Sequence, residues 1–222
     1  MRGLAQQVSE NLNLFSQEFI QSKFIDIANE IKVIKGQNSK SETLDTLHHL
    51  LDEISFDEPL QLPLDPRLVV CDINVTKCKF MDSKMAPLWV EFVNSDPLSD
   101  KEIVIFKSGD DLRQDMLTMQ LLTVMDRIWK RNGLDLAMST YRCVSTGDEV
   151  GMLEVVRNAR TCADIAAAGA GKVKTSGAFK ENTFTKWLRA KNDNPSQFNE
   201  AVDNFVRSCA AYCVASYVRE IF

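Results

Sequence analysis

Lys107 and Asp115 stand eight residues apart in the stretch Phe106-Lys-Ser-Gly-Asp-Asp-Leu-Arg-Gln-Asp115. Glu102 to Lys107 alternates as a strand does, and Asp111 to Arg131 carries the spacing of a long helix. A lysine at a strand end and an aspartate one turn into the next helix put a fixed cation and a fixed anion where they could meet over a phosphate. Spacing alone favours a lysine that snorkels from the strand end, and it also allows a plain structural ion pair.

Other reactive side chains group less well. The cysteines are Cys71, Cys78, Cys143, Cys162, Cys209 and Cys213, with no Cys-x-x-Cys pair, and the only histidines are the adjacent His48 and His49. A structural zinc site is not expected from this set, nor any metal ligands. The thiols read as free in a reducing cytosol, and the histidines as surface residues of a helix. Gly169-Ala-Gly-Lys-Val-Lys-Thr-Ser-Gly177 invites comparison with a phosphate-binding loop. Ala166 stands where that motif needs glycine, Val173 where it needs Ser or Thr, and a helix precedes it instead of a strand. A basic loop is the better description.

The elements that must position Lys107 and Asp115 follow from pattern. Leu4, Val8, Leu12, Phe15, Phe19, Phe24, Ile27, Ile31 and Ile34 mark one stripe of a helix over residues 1–35. Residues 36–41 break it, and Leu44, Leu47, Leu51 and Ile54 mark a second helix, making a helical hairpin. The three prolines between Asp57 and Pro66 predict an irregular linker. Short alternating runs follow at Leu68–Ile73, Lys77–Met81, Leu88–Val93 and Ile103–Lys107, close enough in sequence to predict an antiparallel sheet. The helix from Asp111 carries one apolar stripe at Leu117, Leu121, Val124 and Ile128. A second stripe, nearly opposite, holds Leu112, Met119 and Leu122 with Asp115 inside it. That pattern predicts a helix packed on two sides, with Asp115 partly buried and needing a cation, for which Lys107 is nearest.

Tyr141–Ser145 and Val150–Val156 read as a hairpin running out into Arg157-Asn158. Thr161 and Asp164 open a short helix through Ala168, and residues 182–191 form another. Asn194 caps a last helix, with Pro195 at its first position and Phe198 to Ser216 on one broad face, Cys209 and Cys213 among them. The totals fit a globular domain of 222 residues: 45% hydrophobic, 26% charged, net charge -5. That charge argues against a nucleic-acid partner, which needs clustered lysine and arginine. No apolar run approaches the ~20 residues of a membrane span, and no secretory signal or lipidation box is expected.

From about Leu88 to Val218 the sequence resembles the catalytic subunits of phosphoinositide 3-kinases, class I above all. The resemblance is carried by Phe106-Lys-Ser-Gly-Asp-Asp-Leu-Arg-Gln-Asp-Met-Leu-Thr118, Asn132-Gly-Leu-Asp-Leu136, Gly151-Met-Leu-Glu-Val-Val-Arg-Asn158 and Ser208-Cys-Ala-Ala-Tyr-Cys-Val-Ala215. It implies an α+β fold: a protein-kinase-like small lobe with an antiparallel sheet, preceded by a helical hairpin and followed by a partial helical lobe. The implied organisation is a helical region at 1–57, a linker at 58–67, the small lobe ending in a hinge at 68–157, and an incomplete helical lobe at 158–222.

The same resemblance implies an ATP-dependent lipid kinase acting on the inositol 3-hydroxyl of phosphoinositides. It would be cytoplasmic, recruited peripherally to membranes, and a regulatory subunit is an implied partner. By position, Lys107 would hold the ATP phosphates, and Asp115 would pair with it. The Glu154 carbonyl and Val156 amide would meet adenine. Tyr141, Leu153 and Trp89 would pack around the purine. Met81 and Ser83 would belong to a phosphate loop that lacks glycine. In that family a catalytic loop with a Gly-Asp-Arg-His core and an Asp-Phe-Gly triad follow, and they supply the base and the Mg2+ ligands. Neither motif occurs here before Phe222. No catalytic residue is therefore assigned, and these residues alone are expected to be inactive, as an N-terminal fragment of the kinase domain. The alternative is a non-catalytic nucleotide-binding or protein-interaction module.

Overall fold

The computed structural model describes residues 2–169 and 183–221, with side chains placed from residue 14 onward except those of 15, 169 and 219–221. By internal contacts the chain divides into two compact units. One comprises Met1–Met119 with Tyr141–Val155, the other Gln120–Thr140 with Val156–Phe222.

In the first unit α1 (Arg2–Ile34) and α2 (Lys40–Asp52) form the expected helical hairpin. Ser39 caps α2 through a reciprocal box: its hydroxyl accepts from the Glu42 N–H, and the Glu42 carboxylate accepts from the Ser39 N–H. That pair holds the Glu42 carboxyl below its ordinary range, through the backbone bond first.

Seven strands make one antiparallel sheet among the described residues: β1 (Leu60–Leu62), β2 (Asp65–Ile73), β3 (Lys79–Phe80), β4 (Leu88–Asn94), β5 (Glu102–Ser108), β6 (Cys143–Gly147) and β7 (Val150–Glu154). Their order is β1-β2-β4-β5-β7-β6, with β3 also on β4. Register assigns the two faces. Leu88 lies opposite Phe106 and Val90 opposite Val104, while Phe106 lies opposite Met152. These side chains are buried, and α1 covers them. The Phe24 ring sits 5.4 Å from that of Phe106 and 6.0 Å from that of Phe92. Alternation then sends Lys79, Trp89, Ile105, Leu153 and Cys143 to the opposite face in one row, with Lys107 and Gly151 paired in the next.

Three expectations need correction. Residues 58–67, expected to be an irregular linker, hold β1 and the start of β2. The prolines are accommodated because β1 is a sheet-edge strand flanked by Pro59 and Pro63, and Pro66 is the second residue of β2. The strand expected at 77–81 shrinks to Lys79–Phe80, because Val75–Lys77 winds into a 3-10 turn. His48 is not a surface residue: half-buried, it donates from Nε2 to the Cys78 carbonyl at 2.9 Å and ties α2 to the approach of β3, whereas His49 is exposed.

The helix α3 (Arg113–Arg131) runs from the first unit into the second. Leu117, Leu121, Val124 and Ile128 are 43–56% exposed, so the stripe expected to pack on that side is open. In the second unit α4 (Cys162–Gly169), α5 (Thr183–Lys191) and α6 (Pro195–Ile221) pack in sequence order. The expected caps form: Thr161 Oγ1 accepts from the Asp164 N–H at 3.0 Å, and Asn194 Oδ1 from the Ser196 N–H at 2.8 Å. Phe184 stacks on Phe205 with centroids 5.9 Å apart, and Arg189 lies over Phe198. On α6, Phe205, Val206, Cys209 and Cys213 are exposed, while Ala211 and Ala215 are buried. The basic loop of residues 169–177 lies, from 170 onward, outside the described residues.

Gly151 is closely enclosed in the sheet. A Cβ there would collide with the Val144 carbonyl and come within 2.7 Å of Leu112 Cδ1, a fully buried side chain. The carbonyl belongs to the paired strand and cannot step aside. Gly151→Ala is expected to destabilise the chain by about 1–3 kcal/mol, the usual cost of overpacking. A urea titration reads this directly, and an unchanged unfolding midpoint would contradict the tight fit.

Candidate functional site

The site starts from β5. With Val104 and Phe106 committed to the core, Ile103, Ile105 and Lys107 must face the other way. Lys107 ends that row with its side chain 25% exposed, opposite Gly151, which carries no side chain to crowd it.

The chain then turns on Gly109 (φ 86°), a left-handed conformation that favours glycine. The Glu149 carbonyl accepts from both the Gly109 and Asp110 N–H groups, at 2.8 and 3.1 Å. A Cβ on Gly109 would strike Met85 Cε, so this turn lies directly against the loop that follows β3. The Lys35 ammonium donates to the Ser83 carbonyl in that same loop and ties it to the end of α1.

The turn decides which acid meets the lysine. Asp110 comes back over Lys107, and its Oδ2 accepts from Nζ at 2.7 Å. The expected Lys107–Asp115 pair is therefore corrected: Lys107 pairs with Asp110, and Asp115 is exposed, not a buried acid. The physical reason is reach, since Gly109 folds the third residue back while the eighth has already entered the helix. Asp115 still acts on the same region. Burial raises the Cys143 thiol above its ordinary range, the Asp115 charge raises it further, and Lys107 opposes them. The helix start belongs to Asp111, whose carboxylate accepts from the Arg113 N–H at 3.0 Å and clasps the Arg113 guanidinium at 2.6–3.1 Å. Those bonds hold the Asp111 carboxyl down at about 2.

The remaining expected residues distribute as follows. Trp89 is half-buried and Leu153 buried on the Lys107 face, in one row across β4 and β7. The Lys79 ammonium lies 4.2 Å above the Trp89 ring. Met81 and Ser83 are exposed just beyond β3. Tyr141 is half-buried, shortly before β6. Glu154 ends β7, and Val156, 48% exposed, falls in the second unit.

Sequence reasoning missed one cluster entirely. Arg142 bonds the Glu154 carboxylate from Nε at 2.9 Å and Nη2 at 3.0 Å, and Asp65 Oδ2 from Nη1 at 3.0 Å. Asp65 also holds Arg67 and is nearly buried; its carboxyl is pulled far below the ordinary range, by the Arg67 bond first. These partners are 77 and 12 residues away from Arg142, and no local pattern announces them.

What the arrangement can do is accept an anion. Lys107 is a partly exposed cation on the sheet face that also carries Trp89, Ile105, Leu153 and Lys79. Among the described residues its ion-pair partner is Asp110, on a partly exposed turn, where such pairs contribute about 0–1 kcal/mol. A phosphate oxygen offers a charge-assisted bond of about 1.5–3 kcal/mol and can displace a carboxylate held that weakly.

Comparison with known proteins names the class. Residues 103–221 match the family model described as phosphatidylinositol 3- and 4-kinase, a stretch that includes Lys107 and nearly all of β5. Phosphatidylinositol 3-kinase 2 of Dictyostelium discoideum is 45% identical over 188 residues, 85% of this chain and 10% of that protein. Phosphatidylinositol 3-kinase 3 of the same organism is 48% identical over 171 residues, 77% of this chain and 10% of that protein. The phosphatidylinositol 4-phosphate 3-kinase C2 domain-containing subunit alpha of Pongo abelii is 41% identical over 158 residues, 71% of this chain and 9% of that protein. The chain belongs to the phosphatidylinositol 3- and 4-kinase family, and it spans about a tenth of the length of these relatives.

The Cys143 thiol reports on the site's charges. Removing Lys107's charge should raise the thiol pKa further, so Lys107→Met is expected to slow iodoacetamide labelling of Cys143 at fixed pH. Asp115→Asn should have the opposite effect and speed it. Mass-spectrometric labelling rates check both, and rates that move the same way in both variants would contradict this placement of charge.

Proposed function

We propose that these residues form the nucleotide-holding part of a phosphatidylinositol 3-kinase. In the whole protein the reaction would transfer the γ-phosphoryl group of ATP to the inositol 3-hydroxyl of a phosphoinositide at the membrane surface. The observation that carries this is Lys107: a partly exposed cation on the sheet face opposite α1, paired with a carboxylate on a partly exposed turn, in a chain of this family.

The residues present fit ATP. Lys107 would take the phosphates in place of Asp110, with Ser83 and the backbone beyond β3 alongside. Gly109 lets that loop approach closely, as the contact its missing Cβ leaves for Met85 requires. Trp89 and Leu153 supply apolar surface in one row of the same face, and Tyr141 and Glu154 stand at its edge. Val156 would contribute its amide to adenine, and Asp115 its field to the same region. ATP itself supplies the phosphoryl group. The residues named here bind and orient it, and Lys107 offsets negative charge on its phosphates.

Mg2+ would accompany ATP in the whole protein. Among the described residues no group of three or more His, Cys, Asp or Glu side chains could hold a metal ion, so no step is assigned to one here. Among them no helix is long and apolar enough to cross a membrane. In the whole protein, contact with lipid would come through peripheral recruitment, and a regulatory subunit would be a natural partner.

A protein-interaction role is favoured by one observation, the exposed stripe Leu117, Leu121, Val124 and Ile128. Calorimetric titration of the chain with ATP separates the two. The nucleotide site predicts saturable binding that Lys107→Ala weakens by about 10- to 100-fold, the loss of one charge-assisted bond. No binding, or equal affinity in the variant, would contradict the nucleotide site and leave the interaction role.

A further inference from the structure

Arg142 joins four strand segments at one end of the sheet. It stands just before β6. Its guanidinium reaches Glu154 at the end of β7, Asp65 at the start of β2 and Glu102 at the start of β5, the last at 3.6 Å. With Glu154 the contact is fourfold. Two guanidinium bonds reach the carboxylate, the Arg142 N–H donates to Glu154 Oε2 at 2.9 Å, and the Glu154 N–H donates to the Arg142 carbonyl at 2.8 Å. Asp65 and Glu102 are 8% and 13% exposed, so their charges have little water to compensate them.

Three carboxylates therefore converge on one guanidinium, with Arg67 as a second, largely exposed cation on Asp65. Without Arg142 the three acids would lose the cation they share, and Glu154 would lose its two-point contact. Glu154 is also the last residue of β7. Val155 makes one more bond to the sheet, to the Ile103 carbonyl at 3.2 Å, and the chain then leaves it. A guanidinium whose geometry matches a carboxylate at two points restricts both distance and rotation, which a single ammonium does not.

We propose that Arg142 is a positioning residue: it fixes the backbone at Glu154 in the orientation that receives the purine. This inference rests on the nucleotide site proposed above. Arg142 does not touch the nucleotide itself. Its contribution is preorganisation of the adenine edge, so it should affect the base and leave the phosphates alone.

The test separates the two ends of the ligand. ATP, adenosine and inorganic tripolyphosphate are each titrated calorimetrically into the wild-type chain, Arg142→Ala, Arg142→Lys and Glu154→Gln, and circular dichroism confirms that each is folded. The expected result for Arg142→Ala is loss of about tenfold or more in affinity for adenosine and ATP, with tripolyphosphate unchanged. Arg142→Lys should recover only part, because it restores charge without the fork. If Arg142→Ala does not fold, Glu154→Gln carries the test, since it keeps the side chain's shape and weakens the same clasp. Adenosine affinity equal to wild type in a folded Arg142→Ala or Glu154→Gln chain overturns the role of Arg142 and leaves the nucleotide site standing. Equal losses for adenosine and tripolyphosphate overturn it too, by showing a general structural effect. A wild-type chain that binds none of the three overturns both.

Discussion

Alternation along β5 is the constraint on which the rest depends. Val104 and Phe106 are fully buried, and the Phe24 ring of α1 fills the space between Phe106 and Phe92. A strand with two such residues in the core cannot slip by one position without exposing both and burying Lys107. Burial on one face thus holds the cation on the other. The helical hairpin contributes to the site through this packing. It also contributes through Lys35, which ties the loop beyond β3.

Two kinds of ion pair are built on that frame, and the proposed function draws on their difference. Lys107 and Asp110 are both partly exposed and meet across a three-residue turn, so their bond is cheap to exchange. Arg142 is matched to Glu154 at two points and shares Asp65, which is nearly buried, so that cluster is costly to open. The first arrangement suits a group that must change partner when an anion arrives. The second suits a group that must not move. An open cation beside a fixed strand end is what a nucleotide site needs if its phosphate end is to adapt while its base end stays preorganised.

Much of the fold was open to reading in the sequence, for reasons of period. The long helices, the strands at 88–94 and 102–108, and the caps at Thr161 and Asn194 depend on local spacing, and the structure has them there. The proline-flanked β1 was not readable, because its pairing with β2 is a tertiary fact that overrides a local prohibition. The candidate site divides the same way. The placement of Lys107 followed from alternation. Its partner did not, since a glycine turn selected Asp110 over Asp115 and no helical periodicity describes that turn. The stripe of Leu117, Leu121, Val124 and Ile128 showed that a face was apolar, but a pattern cannot show whether the face is covered. Arg142 was invisible for the plainest reason, having partners on three other strands.

The central claim is that Lys107 exchanges Asp110 for the phosphates of a nucleotide. A crystal structure of the chain with a non-hydrolysable ATP analogue tests it most directly. The account predicts Lys107 Nζ within hydrogen-bonding distance of a phosphate oxygen, the Asp110 contact broken, and the purine beside Leu153 and the Glu154 backbone. An analogue bound elsewhere, or one bound at this face while Lys107 remains on Asp110, would contradict it.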